Sequence, residues 1–399
     1  MRAGRWLWDH PPPRMRQLLT ARHLALYAAL LAAATVLGCL YVNHATDGQM
    51  LLRARFAAVK WVTDRSQIVE LDIAPVGRVD MFLNPHDRVI TPLLQAQRVW
   101  EPEETRLFLS SVGPGDTVVD VGANVGYYTV LAAEAVGPKG RVFAFEPDPV
   151  AFAILEANVR LSGATNVIAE QKALSNEPGS IKLFLADQNK GDHRIFQVEG
   201  ENRPSVDIEA VAFDEWLRTH PVAKGGPVDF IKIETQGAEA VILQGMKDTL
   251  KSNDGIRLII EFWPSGLDEF GADAGEVLAS LSAADFRFLE LPPKIGLPSI
   301  VRTAEALLAA YPVKSRRFTS LLLVKGAAEY ARLAADVELA AKALSAAKAL
   351  AAAKALAAGE ADGGAGPAGQ GEPATQARLD GALGALRAFN ERSMLRAGR

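Results

Sequence analysis

The chain has 399 residues, 49% hydrophobic and 23% charged, with a formal net charge of -4. That size and core content suit one α/β domain of about 250 residues plus accessory segments. The charge balance gives no electrostatic case for nucleic acid as a partner. The single cysteine, Cys39, excludes an intrachain disulfide and a cysteine-ligated zinc site.

Residues 1–23 are a basic leader to the uncharged run from Leu24 to Val42, LALYAALLAAATVLGCLYV. At about 1.5 Å per residue this run is long enough to cross a bilayer core, and no A-x-A cleavage site follows it. It predicts a retained single-pass membrane helix. Residues 43–79 read as linker and lead-in. Across residues 66–100, QIVELDIA and RVDMFLN predict two short strands around a Pro-Val-Gly turn.

The main domain is expected at 80–325. PEETRLFLSSV, residues 102–112, predicts a helix with proline and acids in its first turn. Strands are predicted at Thr117 to Val121, Arg141 to Phe145, Asn166 to Ala169, Pro227 to Ile233 and Ile256 to Phe262. Helices are predicted at Val125 to Val136, Pro149 to Leu161, Glu239 to Met246 and Ala274 to Ala283. Phe286 to Leu289 and Thr319 to Val324 read as closing strands. This alternation indicates a Rossmann-like α/β fold: a mostly parallel sheet covered on both faces by right-handed crossovers. Residues 175–210 interrupt it with one strand, Ile181 to Ala186, and a polar stretch long enough to cover a site. Beyond it, 326–358 predicts an Ala/Lys-rich helix, 359–375 a flexible linker, and 376–399 a short helix or disordered tail.

The chemistry concentrates at two places. VVDVGANVGYYT, Val118 to Thr129, runs from a hydrophobic strand through a loop into a helix. Ligands in open parallel sheets bind beyond the carboxyl ends of such strands. Gly122 and Gly126 are four apart with Asn124 between them, so the spacing departs from the G-x-G-x-x-G of dinucleotide sites. The lysine and hydroxyl of a phosphate-binding P-loop are also absent. The loop reads as built for a ligand without pyrophosphate. Glu146, at the end of the next strand and before Pro147, can accept hydrogen bonds from two ribose hydroxyls.

The second place is FIKIETQGAE, Phe230 to Glu239. Lys232 and Glu234 share a strand face, and charges within a hydrophobic strand require partners. Glu261, in LIIEFWP, could face the same crevice. Two carboxylates there admit a metal or a shared proton, but spacing alone assigns no metal site. His193, in the polar stretch, is a candidate general base for a hydroxyl acceptor.

VVDVGANVGYYTVLAA, VFAFEPDP, the Asn158-Val159 pair, DFIKIETQGAEAVILQGM and LIIEFWP together resemble the FkbM family of methyltransferases, across roughly residues 80–290. The resemblance implies a class I methyltransferase fold with a seven-stranded sheet and S-adenosylmethionine as donor. It implies donor contacts from the Asp120–Gly126 segment, including Asp120, Gly122, Asn124 and Gly126, with Tyr128 just beyond and Glu146 on the ribose. The family pattern I-K-x-D-x-Q-G-x-E has aspartate where this chain has Glu234, one methylene longer. His193, Lys232, Glu234 and Glu261 are the candidates for acceptor chemistry. The family implies O-methylation, and a membrane anchor points to a saccharide or glycolipid acceptor. Basic residues flank the hydrophobic run on both sides. Those before it favour a cytoplasmic N-terminus, whereas a donor made in the cytoplasm favours a cytoplasmic catalytic domain, which is the expectation adopted. A nicotinamide-dependent oxidoreductase and a non-catalytic membrane-associated binding domain are the alternatives.

Overall fold

The computed structural model describes residues 68–198, 200–223, 226–291, 300–333 and 335. The run Leu24 to Val42 and the tail predicted at 359–399 lie outside these residues. Among the described residues, no helix is long and apolar enough to cross a membrane.

The chain enters through an antiparallel hairpin, β1 (Ile68–Ile73) and β2 (Gly77–Phe82), as the Pro-Val-Gly turn predicted. Two helices follow, α1 (Ile90–Gln97) and α2 (Pro102–Ser111). The hairpin is more than a lead-in. Leu71 and Met81 are fully buried in one cluster with Phe108, Val118 and Val130 of the main body. Asn158 fixes it there. Its Oδ1 accepts from Phe82 N at 2.7 Å, and its Nδ2 donates to Phe82 O at 2.9 Å and Val125 O at 2.7 Å. One buried amide thus ties the hairpin to the loop that follows the first core strand.

The core alternates β3 (Thr117–Val121), α3 (Tyr127–Val136), β4 (Arg141–Phe145), α4 (Pro149–Ser162) and β5 (Val167–Glu170). The second half adds β9 (Phe230–Ile233), α6 (Glu239–Gly245), α7 (Lys247–Ser252), β10 (Arg257–Phe262), α8 (Pro264–Phe270), α9 (Ala274–Ala283), β11 (Phe286–Glu290), β12 (Ile300–Arg302), α10 (Ala304–Ala310) and β13 (Thr319–Lys325). Every residue of β3 and of β9 is buried, as expected for central parallel strands covered on both faces. Capping sets the helix starts. Asp148 accepts from Ala151 N at 2.9 Å ahead of Pro149, and Asp273 accepts from Glu276 N at 2.9 Å.

The sheet has eight strands in the order β12-β11-β13-β10-β9-β3-β4-β5. Seven form the expected doubly wound body, and β12 adds an antiparallel edge strand. β3 pairs with β4 on one side and β9 on the other, both parallel. The chain winds outward from β3 to β5, then restarts beside β3 at β9. The switch point, where such sheets bind ligands, lies at the carboxyl ends of β3 and β9.

The interval 175–210 is more ordered than its polarity suggests. β6 (Ala173–Ser175), β7 (Gly179–Phe184) and β8 (Ser205–Ala212) form a separate sheet in the order β6-β8-β7, and α5 (Phe213–Thr219) follows. The β7–β8 connection returns to bridge Phe184 with Arg194. The predicted cover is this connection, held on a small sheet.

Candidate active site

Gly122 directly follows β3 with φ +78°, and a Cβ there would stand 2.1 Å from the Glu234 carbonyl oxygen. Glycine is required because β3 and β9 converge at that point. Asn124 also adopts a positive φ, 50°, which asparagine tolerates better than most residues. Four of the loop amides are committed internally. Gly122 N and Ala123 N donate to Phe145 O at 3.0 and 3.1 Å, Asn124 N to Glu146 Oε2 at 2.7 Å, and Gly126 N to Ala123 O at 2.8 Å. A pyrophosphate site needs such amides free and converging on the ligand. This loop does not offer them.

Glu146 is buried, and each carboxylate oxygen takes one backbone amide: Oε2 from Asn124, and Oε1 from Asp148 at 2.8 Å. Each retains acceptor capacity for a hydroxyl, the geometry a vicinal diol requires. Burial, with Asp148 next, pushes the carboxyl up to about 8.

Glu146, Gly122, Asn124 and Glu234 line one cavity of about 590 Å³, counting its open mouth. Its apolar wall is Leu174, Leu183, Ile195, Ala238 and Ile242. A lining that combines polar groups with an apolar wall suits a nucleoside. The β7–β8 connection closes over it with Lys190, Gly191 and His193. Lys190 N donates to Asp87 Oδ2 at 2.7 Å. Arg194 pairs with Asp192 at 2.9 Å and Glu269 at 3.3 Å, and its guanidinium stands 4.8 Å from the Trp263 ring centre.

A cluster of charge adjoins the cavity. Lys232 is fully buried; its Nζ donates to Glu234, stands 3.3 Å from Glu104 Oε1 and lies 4.2 Å from the Tyr128 ring centre. Burial works against its charge, yet Glu234, then Glu104, Glu101 and Asp120, outweigh it and hold the ammonium above its usual range. Carboxylate oxygens of Glu101, Glu104 and Glu234 gather within 4.8 Å of one another. Burial, then Glu104 and Glu234, keep Glu101 well above the usual carboxylate range. Burial, then Glu234, do the same to Glu261, which accepts from Gln236 Nε2 at 3.0 Å. Glu101 and Gln236 both have positive φ, 39° and 55°. Strain of this kind persists where surrounding structure imposes it.

The structure sorts the expected site residues into three groups. Gly122, Asn124, Glu146, Glu234 and His193 line the cavity. Lys232 and Glu261 lie in the charged cluster instead, and Lys232 is too deeply buried to meet a substrate. Asp120, Gly126 and Tyr128 are framework and do not line the cavity. Asp120 accepts from Thr129 Oγ1 at 2.5 Å, and burial raises its carboxyl to about 6 against the pull of Lys232. A Cβ on Gly126 would meet Leu155 Cδ1 at 2.5 Å, so that glycine serves packing of α4 on the loop. Tyr128 is buried against Phe108 and Lys232.

His193 requires correction as a general base. Its Nδ1 accepts from Ala186 N at 2.9 Å, which leaves the neutral ring its proton on Nε2, 3.9 Å from Asp148. The lone pair a base would use is taken. Burial, partly offset by Asp148, also lowers its pKa. Its role is to pin the cover.

Sequence reasoning missed Glu101, whose backbone strain has no local signature. It read Glu104 as a helix-dipole acid, whereas Glu104 faces Lys232. The unexplained charge of Lys232 inside FIKI was the available signal for a partner. Glu239 is also internal. Its Oε1 accepts from Thr235 N, Thr235 Oγ1 and Gly237 N at 3.2, 2.9 and 3.3 Å, fixing the β9–α6 turn.

Fold and site together define an α/β protein with a ligand pocket at the switch point of a doubly wound sheet. Residues 120–288 match the model of the Methyltransferase FkbM domain. The chain is 26% identical over 153 residues to Methyltransferase 1 of Beauveria bassiana, covering 34% of this chain and 60% of that relative. It is 51% identical over 67 residues to the 31-O-demethyl-FK506 methyltransferase FkbM of Streptomyces tacrolimicus, covering 16% of this chain and 25% of that relative. Both matches span less than two thirds of the relative's own length. Among solved structures, the O-methyltransferase TomG of Streptomyces achromogenes in complex with SAM is similar at a TM-score of 0.34 and 14% identity, covering 60% of this chain and 91% of that one. The fold assignment rests on the strand order, not on that likeness.

Proposed function

We propose that this domain is an S-adenosylmethionine-dependent methyltransferase acting on a hydroxyl of a saccharide, glycolipid or related small molecule. The observation that carries the donor assignment is the loop from Gly122 to Gly126. The Gly122, Ala123, Asn124 and Gly126 amides are spent on Phe145, Glu146 and Ala123, while Glu146 lines the same cavity. A dinucleotide would need those amides for its pyrophosphate. An adenosyl donor needs a diol acceptor and an apolar slot, and both are present. Gly122, Asn124 and Glu146 are the residues that would hold it, with Leu174, Leu183 and Ile242 as the apolar wall. The bound donor supplies an activated methyl group. The chain supplies alignment and exclusion of water by the β7–β8 cover.

The acceptor class rests on the FkbM domain and on the uncharged run from Leu24 to Val42, read as a membrane anchor with the catalytic domain on the cytoplasmic side. The assay is transfer of labelled methyl groups into separated glycan, lipid and protein extracts. Label is expected in glycan or lipid fractions. Label in protein alone would sink the acceptor assignment.

A further inference from the structure

We infer that Glu234 takes the acceptor's proton during methyl transfer, oriented by Lys232. The inference rests on the methyltransferase reading and extends it to a specific atom. Five titratable side chains line the cavity: Glu146, Lys172, Lys190, His193 and Glu234. Four are otherwise engaged. Glu146 has both oxygens fixed by backbone amides at the diol end. Lys172 pairs with Glu170 at 3.5 Å and Glu209 at 3.2 Å. Lys190 donates from Nζ to Ala186 O at 2.8 Å and, as a cation, has no lone pair to offer. His193 has its acceptor nitrogen filled by Ala186 N.

Glu234 differs from all four. Its side chain is 31% exposed, and its Oε2 is held by Lys232. Its Oε1 has no protein hydrogen bond among the described residues. It stands at the carboxyl end of β9, and its backbone carbonyl abuts Gly122 of the donor loop. Lys232 is a positioning residue. It is buried beneath Glu234, between that carboxylate and Glu104, and does not reach the cavity.

The step balances without a further reactant. The acceptor oxygen forms its bond to the methyl carbon as the carbon–sulfur bond breaks, and that electron pair stays on sulfur. The hydroxyl proton passes to Glu234 Oε1 and leaves through the cavity mouth. A positive sulfonium and a negative carboxylate become two neutral groups. Inside a covered cavity, where charge is poorly screened, mutual neutralisation is favoured over moving a positive charge to a neutral base. The charged and titratable groups that face Glu234 are Lys232 on its own strand, Glu101 and Glu104 from the start of α2, Asp120 from β3, Tyr128 from α3 and Glu261 from β10. Lys232 is the one cation of that set.

The experiment compares the full chain with Glu234→Gln and Glu234→Asp. Calorimetry reads S-adenosylmethionine affinity, thermal melting reads folding, and labelled-methyl incorporation into the glycan and lipid extracts reads turnover across pH. Glu234→Gln is expected to bind the donor within about three-fold of wild type and to melt normally, yet to lose at least about 100-fold in incorporation. Glu234→Asp, which keeps a carboxylate, keeps at least about a tenth of the rate. The inference is overturned if Glu234→Gln stays within about five-fold of wild type, or if donor affinity falls in parallel with rate. Equal inactivity of Glu234→Asp and Glu234→Gln overturns it as well. A wild-type chain that binds the donor but labels no extract overturns the role of Glu234 and leaves the donor site standing. A chain that does not bind the donor overturns both.

Discussion

The donor side and the charged side of the cavity are built by opposite means. From Gly122 to Glu146 the site is a backbone device. Its positive-φ residues, its committed amides and its buried carboxylate come from one β-loop-α-β segment, within 25 residues of one another. The charged side is an assembly. Glu101 and Glu104 arrive from α2, Lys232 and Glu234 from β9, and Glu261 from β10. A local device can be recognised in the chain because spacing encodes it. An assembly becomes visible only when the sheet order brings its parts together.

The strongest way to break the contrast is at the contact between the two sides. Gly122→Ala drives a Cβ into the Glu234 carbonyl at 2.1 Å with φ held at +78°. Expected are loss of donor binding in calorimetry and destabilisation of about 3 kcal/mol or more in denaturant unfolding. Retention of both would show that β3 and β9 can move apart cheaply.

Next is the assembly alone. Lys232→Met leaves Glu104 and Glu234 without their cation. Destabilisation of about 3–5 kcal/mol is expected near neutral pH. The raised ammonium stabilises the fold below its unfolded titration range, provided its carboxylate partners are ionised. The cost should therefore shrink in strong acid, where an ammonium loses its charged partners. A pH-independent loss in melting would refute the pairing.

On the donor side alone, Glu146→Gln replaces one acceptor oxygen with an amide facing a backbone N–H. S-adenosylmethionine affinity should fall by about 30-fold, with a smaller change in unfolding. The wild-type carboxyl, lifted from 4.5 to about 8, gives this side its own pH signature. Ribose hydroxyls donate to the ionised form, so calorimetric affinity should rise by about ten-fold between about pH 6.5 and 8.5. The donor-free fold runs the other way. A carboxyl raised on folding stabilises it fully below 4.5, and that contribution is lost as the pH climbs through about 8.

The smallest effect is expected from His193→Asn. It can keep an acceptor for Ala186 N and should cost less than about 1 kcal/mol in melting. Turnover should fall without a change in the shape of its pH profile. A lost titration limb would restore His193 as a base.

The same contrast explains what the chain revealed in advance. Fully buried parallel strands such as TVVDV and FIKI are mostly hydrophobic, each with one charged residue, so their positions and the winding of the sheet were readable. β8 was not, because its alternating exposed and buried residues lie inside a polar interval and pair with β7 across a long connection. β12 has three residues and two exposed positions, too little pattern to register. Within the site, Gly122, Asn124 and Glu146 were legible from spacing. Asp120, Gly126 and Tyr128 stood within the same motif, yet their side chains turn into the framework, a distinction spacing does not encode. His193 had the right chemistry and the right loop, but a single hydrogen bond from Ala186 decides its role.

The central claim is that the switch-point cavity holds an adenosyl donor rather than a dinucleotide. The most direct measurement is calorimetric titration of the full chain at about pH 8.5 with S-adenosylmethionine, S-adenosylhomocysteine and the nicotinamide dinucleotides in turn. Saturable one-site binding of the first two, and none of the dinucleotides, is the predicted result. Dinucleotide binding with no response to S-adenosylmethionine would contradict it.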